Sequence, residues 1–185
     1  MGNNWTQTNA FSRLIPEEVI SMFRKMRRFK QQLTDEQCIE ILENSTSGVL
    51  GLSGDDDYPY TVPVSHVYED GKLYFHGAKS GHKNDAIRNH EKVSFCVIEK
   101  DDLVQERVTT YYRSVIVFGK ARIIEDDEER RRVALMIGER FAPDNKEGYM
   151  HEMDKMFKVM ECFEITIEHM TGKESIELAR ARQLV

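Results

Sequence analysis

The spacing of apolar positions changes at residue 47, from a helical period before it to strand-like alternation after it. Thr34-Asp35-Glu36-Gln37 is a capping box, in which the Thr34 hydroxyl accepts from the Gln37 N–H while the Gln37 side chain reaches back. It predicts a helix over 35–43 with Cys38, Ile41 and Leu42 on one face. Residues 48–53 then read as a short buried strand and 54–57 as a turn. The run 60–68 reads as one strand with Tyr60, Val62, Val64, His66 and Tyr68 on a shared face. Glu69-Asp70-Gly71 turns the chain into a partner strand at 72–76, giving a hairpin. A loop of small residues, 77–83, leads into a helix ending near Asn89, and 93–98 is a strand. The charged stretch 100–108 predicts a loop, and 109–124 one long strand bent at Gly119. Residues 126–140 predict a helix with acids in its first turn and Arg140 in its last, the arrangement that a helix dipole favours. A polar loop containing Pro143 and Gly148 precedes a strand at 157–169, with Phe163, Ile165 and Ile167 on one face, and a helical or disordered tail follows residue 173. Six strand segments joined by hairpins, with helices interspersed, predict a mainly β fold with α-helices: an antiparallel sheet or barrel with the helices outside.

Composition narrows this to a single domain. The chain has 185 residues, and 26 basic against 32 acidic side chains leave a net charge of −6. That balance supplies no electrostatic footprint for nucleic acid. No apolar run approaches the ~20 residues of a membrane span, and the first residues lack the order of a signal peptide. Cys38, Cys96 and Cys162 are odd in number and far apart, so reduced thiols and a cytoplasmic location are expected. Residues 1–25 form an N-terminal extension, with Pro16-Glu17-Glu18 as the first turn of a short helix to Lys25. The domain proper occupies 26–178 and a short tail 179–185. The basic stretch from Arg24 to Lys30, interrupted by Met26 and Phe29, reads as a solvated connector.

Motifs for hydrolytic, metal or nucleotide chemistry are absent from the sequence, and the paired carboxylates lie in charged surface runs such as 55–57 and 126–129. The informative stretch is 60–89. A strand–turn–strand unit there ends in small residues, then His82-Lys83 at a helix start, where backbone N–H groups and an ammonium suit a terminal phosphate. The alternative for this segment is an ordinary exposed loop with an ordinary lysine.

The runs 58–66, 68–78 and 81–83, followed by 111–121 and 167–174, resemble the pyridoxamine 5′-phosphate oxidase-like split barrel, and within it the nitroimidazole-resistance group. The resemblance covers about residues 26–178. It implies a six-stranded antiparallel split barrel of Greek-key type with flanking helices, assembled as a homodimer with FMN at the interface. Carried over by position, Val62, Pro63 and Val64 would run under the flavin ring, and His76 and Gly77 would follow the ribityl chain. Lys83, helped by His82, would hold the phosphate, and Arg113 and Ser114 would meet the flavin or its phosphate. The related oxidases carry an Arg-Lys pair where this chain has His82-Lys83, which implies weaker or more pH-dependent phosphate binding. Val62 and Val64 on one face would also form an apolar floor, and Pro63, lacking an N–H, belongs on an edge or opening.

His66 resembles a position beside the flavin and is a candidate catalytic residue that donates a proton or orients a nitro group. Its other reading is a rim or core histidine hydrogen-bonded to backbone. Tyr111 and Tyr112 are candidates for the substrate pocket, or for strand packing. The implied activity is an FMN-dependent reductase that passes electrons in pairs from a reduced nicotinamide or other donor to a small acceptor such as a nitroimidazole. Two alternatives stand beside it. One is a pyridoxamine phosphate oxidase-like or other flavin oxidoreductase, for which the C-terminal basic residues have no evident counterpart. The other is a flavin or haem carrier or sensor without turnover.

Overall fold

The structure, a computed structural model, describes residues 22–183. The expected helix at 16–25 lies mostly outside the described residues, and its described end, 22–25, is turn and irregular chain. In chain order the elements are α1 (Asp35–Asn44), β1 (Ser47–Ser53), β2 (Pro59–Ser65), β3 (Val67–Glu69), β4 (Lys72–Ala78) and α2 (His82–Asn89). There follow β5 (Lys92–Val104), β6 (Thr109–Ile123), α3 (Asp127–Phe141), α4 (Lys146–Met156), β7 (Met160–Glu174) and α5 (Ile176–Gln183). Both halves of the Thr34–Gln37 capping box are made, at 3.3 and 3.0 Å. The β3–β4 turn places Asp70 and Gly71 at φ 48° and 77°, the left-handed pair that a two-residue hairpin needs.

All strands form one antiparallel sheet in the order β2-β1-β5-β6-β7-β4-β3. Its two end strands, β2 and β3, are consecutive in the chain with only His66 between them. A sheet whose outermost strands are covalent neighbours must curl until those strands come together at His66, which makes a barrel that stays open beyond that point. The strand expected at 60–68 is therefore two strands, which raises the count from six to seven. At His66 the chain changes partner, from β1 to β4.

Three further expectations are corrected. Residues 100–104 continue β5 and pair with 109–113 of β6, forming a two-stranded ribbon beyond a bulge at residues 98–100. The loop around Gly148 contains α4, begun by the Asn145 side chain, which accepts from the Gly148 N–H at 3.0 Å. The last strand runs on to Glu174, and α5 follows it. The bend at Gly119 appears as a register shift between Phe118 and Gly119, where any side chain would strike the Thr166 carbonyl.

Two cores result. The barrel interior is filled by residues such as Leu50, Phe75, Phe95, Val97, Val117, Phe163 and Ile165, closed by α1 and α2. A second core, with Tyr74, Ile124, Val133, Ile137, Met153 and Cys162, lies between the outer face of β4 and β7 and the α3–α4 pair. β4 is thus buried on both faces over Leu73, Tyr74 and Phe75, and each such side chain contributes roughly 1.5–3 kcal/mol by leaving water.

Candidate functional site

The edges of the sheet part at His66. β3 pairs only with 72–74 of β4, so residues 75–78 of β4 have no strand on that side. β2 pairs only with β1, so its other edge is free as well. β2 and β4 approach one another, and the start of α2 lies across the end of the opening. His82 leans on the β2 side, its ring stacked on Tyr60 with centroids 4.0 Å apart and its Nε2 3.7 Å from the Asp55 carboxylate. Lys83 leans on the β4 side, with Nζ 5.4 Å from the Phe75 ring centre and 4.9 Å from that of Phe163. Its ammonium stands where a side chain on Gly77 would have to be. One helical turn thus touches both edges of the split.

Local sequence explains this placement. Gly81, just before α2, has φ +131°, a conformation that side chains rarely adopt. Asn84 is buried and donates Nδ2 to the Ala78 carbonyl at 3.1 Å, which ties the small-residue loop to the helix. The Lys83 side chain is turned inward over two aromatic faces, which attract a cation. It makes no ion pair or hydrogen bond among the described residues. Burial pushes its ammonium below the usual lysine range. His76 faces the other way, outward from β4; desolvation, and after it the Lys83 charge, hold its imidazole below the ordinary histidine value. Lys83 is thus a local positive charge with unpaired strand edges on both sides and no carboxylate partner among the described residues.

The structure therefore gathers Val62, Pro63 and Val64 from β2, His76 and Gly77 from β4, and His82 and Lys83 from α2 around the split. On β2, Tyr60, Val62 and Val64 are half-buried against the barrel core, while Thr61, Pro63 and Ser65 are exposed. Other expected residues stand apart. Gly77 pairs with Glu161 on β7 and Arg113 with Glu174, 13 residues farther along that strand, about 40 Å of extended chain. A single chain does not bring Arg113 to Lys83, which corrects the expected cluster. Arg113 is instead bound to the fully buried Glu174 at 3.2 Å and lies 3.7 Å from Glu99. Ser114 pairs with Lys173 beside it; the Tyr112 hydroxyl is 3.4 Å from Gln31 Nε2, and Tyr111 accepts from Arg107 at 2.8 Å.

His66 follows the second of its two readings, a core histidine hydrogen-bonded to backbone. It has no exposed surface, and its Nε2 lies 3.0 Å from the Leu42 carbonyl of α1, with its ring edge-on to Phe95. It sits at the apex where β2 and β3 diverge, where it continues the inward face of Val62 and Val64 into the barrel core. Its side chain therefore offers no surface to a substrate, and the position supports a structural role.

The sequence did not signal two features of this region. One is the part that Tyr60 plays in holding His82. The other is a cavity of about 540 Å³ on the outer face of β4, bounded by His76, Gly77 and Ala78 and by the α3–α4 pair. The small residues Ala134 and Gly138, one turn apart on α3, line it together with Gly77 and Ala78.

The chain matches the family model described as pyridoxamine 5′-phosphate oxidase over residues 34–174. A search of curated proteins returns no match. Among solved structures it is similar to a conserved hypothetical protein of Mycobacterium tuberculosis, with a TM-score of 0.71, 19% identity, and 83% of this chain and 92% of that one covered. A candidate 5-nitroimidazole antibiotic resistance protein of Bacteroides thetaiotaomicron aligns with a TM-score of 0.63 and 21% identity, over 77% and 86% of the two chains. An FAD-binding protein of Mesorhizobium loti aligns with a TM-score of 0.55 and 24% identity, over 78% and 97%. At these identities the likeness is one of fold, and that fold is the curled antiparallel sheet opened beside His66. With a family model spanning most of its length, the chain belongs to the pyridoxamine 5′-phosphate oxidase-like split-barrel family.

Proposed function

We propose that the protein is an FMN-dependent oxidoreductase of the nitroimidazole-resistance type, acting as a cytoplasmic homodimer on a small electron-poor acceptor. The observation that carries this is the Lys83 ammonium, drawn inward at a helix start, lodged against the bare Cα of Gly77 and lacking any anion among the described residues. A terminal phosphate supplies the missing charge, and the first N–H groups of α2 and the free edges of β2 and β4 supply polar partners along a linear group. Lys83 with His82 would hold the phosphate, His76 and Gly77 the ribityl chain, and Val62, Pro63 and Val64 the ring. Arg113, Ser114, Tyr111 and Tyr112 of a second copy would complete the site.

The sheet surface supports a second copy. Pro63, Val49, Cys96 and Ile116 lie in register across four adjacent strands, with Val49 39% and Ile116 42% exposed, and Ile98 stands beside them at 65%. A row of this kind is a surface that association covers. When bound, the flavin supplies two-electron chemistry between a donor such as reduced nicotinamide and an acceptor such as a nitroimidazole. The protein's share is to bind, orient and exclude water. Cys38 and Cys162 are buried and their thiols are pushed up to about 12, chiefly by burial, in keeping with inert reduced cysteines.

The test is to titrate purified protein with FMN, reduce it anaerobically with a nicotinamide, and mix it with 2-methyl-5-nitroimidazole. Uptake of one FMN per chain and reoxidation by the nitro compound faster than free reduced FMN are expected. Absence of FMN uptake ends the proposal, and uptake without accelerated reoxidation reduces it to flavin binding.

A further inference from the structure

Two apolar features lie far apart in one chain, and neither is explained within it. The first is the tip of the β5–β6 ribbon, where Leu103 is 77% and Val108 94% exposed. Val108 also has φ 50° and ψ 46°, a left-handed conformation that a β-branched residue rarely takes, and at that exposure no packing in its own chain offsets it. The second is the cavity of about 540 Å³ beside β4, an open groove larger than a packing defect. Tyr149, Met153 and Met156, all on one face of α4, line its helical side, and Gly77 and Ala78 its strand side. Methionine side chains adjust to an apolar guest of irregular shape.

A chain cannot fill its own groove with its own tip. Gly77 at the groove pairs with Glu161 and Arg113 at the ribbon's base with Glu174, about 40 Å apart along β7, and Val108 lies farther out still. A second copy can. With Tyr111 and Tyr112 of that copy at the split, Val108 lies three residues beyond, about 10 Å of extended chain and the spacing between packed layers. Arg107 donates to the Tyr111 hydroxyl at 2.8 Å, which ties the tip to the tyrosine. The tip therefore arrives on the far side of β4, at the groove. The charges match as well: Glu106 and Arg107 precede Val108, and the exposed Lys155 and Glu152 stand at the α4 end of the groove.

We propose that the ribbon tip of one copy docks in the β4–α4 groove of the other, with Leu103 and Val108 set against Tyr149, Met153 and Met156. By the two-fold relation each copy gives one tip and receives one. The inference rests on the homodimer of the reading above and adds a contact on the side of β4 opposite the flavin. Docking backs the strand that carries His76 and Gly77, so association and the cofactor site share one element.

The experiment uses the full chain with Cys96→Ser, which leaves only the buried Cys38 and Cys162 as native thiols. Val108→Cys and Met156→Cys are then introduced singly and together, both at exposed positions where the fold tolerates the change. Mild oxidation should give a covalent dimer from the double variant and none from either single one. Independently, Leu103→Ser with Val108→Ser should raise the dimer dissociation constant, measured by sedimentation, by about tenfold or more, the worth of two apolar side chains returned to water. A monomeric parent would end the dimer reading and this proposal with it. A dimeric parent whose double variant forms no bridge would overturn this proposal alone. So would a bridge from Val108→Cys by itself, a ladder of higher oligomers, or an unchanged dissociation constant, each of which leaves the flavin reading standing.

Discussion

Lys83 and Gly77 compete for one volume: the lysine ammonium stands where any side chain larger than hydrogen at position 77 would have to go. The obstacle is the far end of a flexible side chain, so Gly77→Ala should fold with a small change in Tm and push the ammonium out of place. FMN affinity should then fall about 10-fold. Lys83→Met, which keeps the stem over Phe75 and Phe163, should cost roughly 1.5–3 kcal/mol of FMN binding, or about 10- to 150-fold, the worth of a hydrogen bond to a charged group. Titration of flavin fluorescence measures both, and equal affinity in all three proteins would remove Lys83 from the site.

Arg113 stands far from Lys83 along β7, so a site using both needs two chains. Neither Arg113→Ala nor Lys83→Ala should bind FMN well alone. Unfolded and refolded together in equal amounts, they should regain about a quarter of the parental sites, because half the dimers are mixed and each mixed dimer has one intact site. Arg113→Ala still leaves Glu174 paired with Arg182 at 2.8 Å, which keeps the buried carboxylate compensated. No recovery on mixing would place both residues in one chain's site or remove Arg113 from it.

How far the sequence could be read depended on whether the signal was local. The Thr34–Gln37 box, the Asp70-Gly71 turn and the start of α2 at His82 are written in neighbouring residues and appear where expected. Lys100, Asp101 and Asp102 hid the end of β5, because a ribbon solvated on both faces needs no alternation. The break at His66 depends on which strand each half of the run pairs with, which no periodicity records. The same holds for Arg113: its partners Glu99 and Glu174 come from β5 and the end of β7.

His66 should act on stability rather than on catalysis. Burial holds its imidazole below the usual value of 6.5, against the bond to the Leu42 carbonyl and aided by Arg140. As pH falls through 6.5 the unfolded histidine gains a proton that the folded one refuses, so stability drops by up to about 1.4 kcal/mol per pH unit from this group. His66→Gln keeps a donor towards Leu42 and removes the titration. Urea midpoints between pH 7 and 5 should therefore slope less steeply in His66→Gln, with FMN uptake retained; a slope equal to the parent's would contradict this account.

Glu164 sets a second, more acidic limit. Burial alone would raise its carboxyl, but hydrogen bonds from Arg122 at 3.0 and 3.1 Å and from Lys72 at 3.0 Å overcome this and hold it at about 2. Its contribution is complete above the unfolded value of 4.5 and is lost as pH falls towards 2. Glu164→Gln should cost roughly 3 kcal/mol at pH 7 and flatten the acid limb of the stability curve below pH 4.5. Thermal unfolding across pH 2–7 shows both effects.

The free edge of β2 has a consequence for solubility. An unpaired strand is a template on which other chains can add, and this protein must keep one open for the split to exist. Pro59 and Pro63 both lie on β2, and neither has an N–H to offer an approaching strand. An incoming chain would meet a broken row of donors. The fold thus keeps an edge that a small molecule can approach while withholding from other chains the regular ladder from which β-aggregates grow.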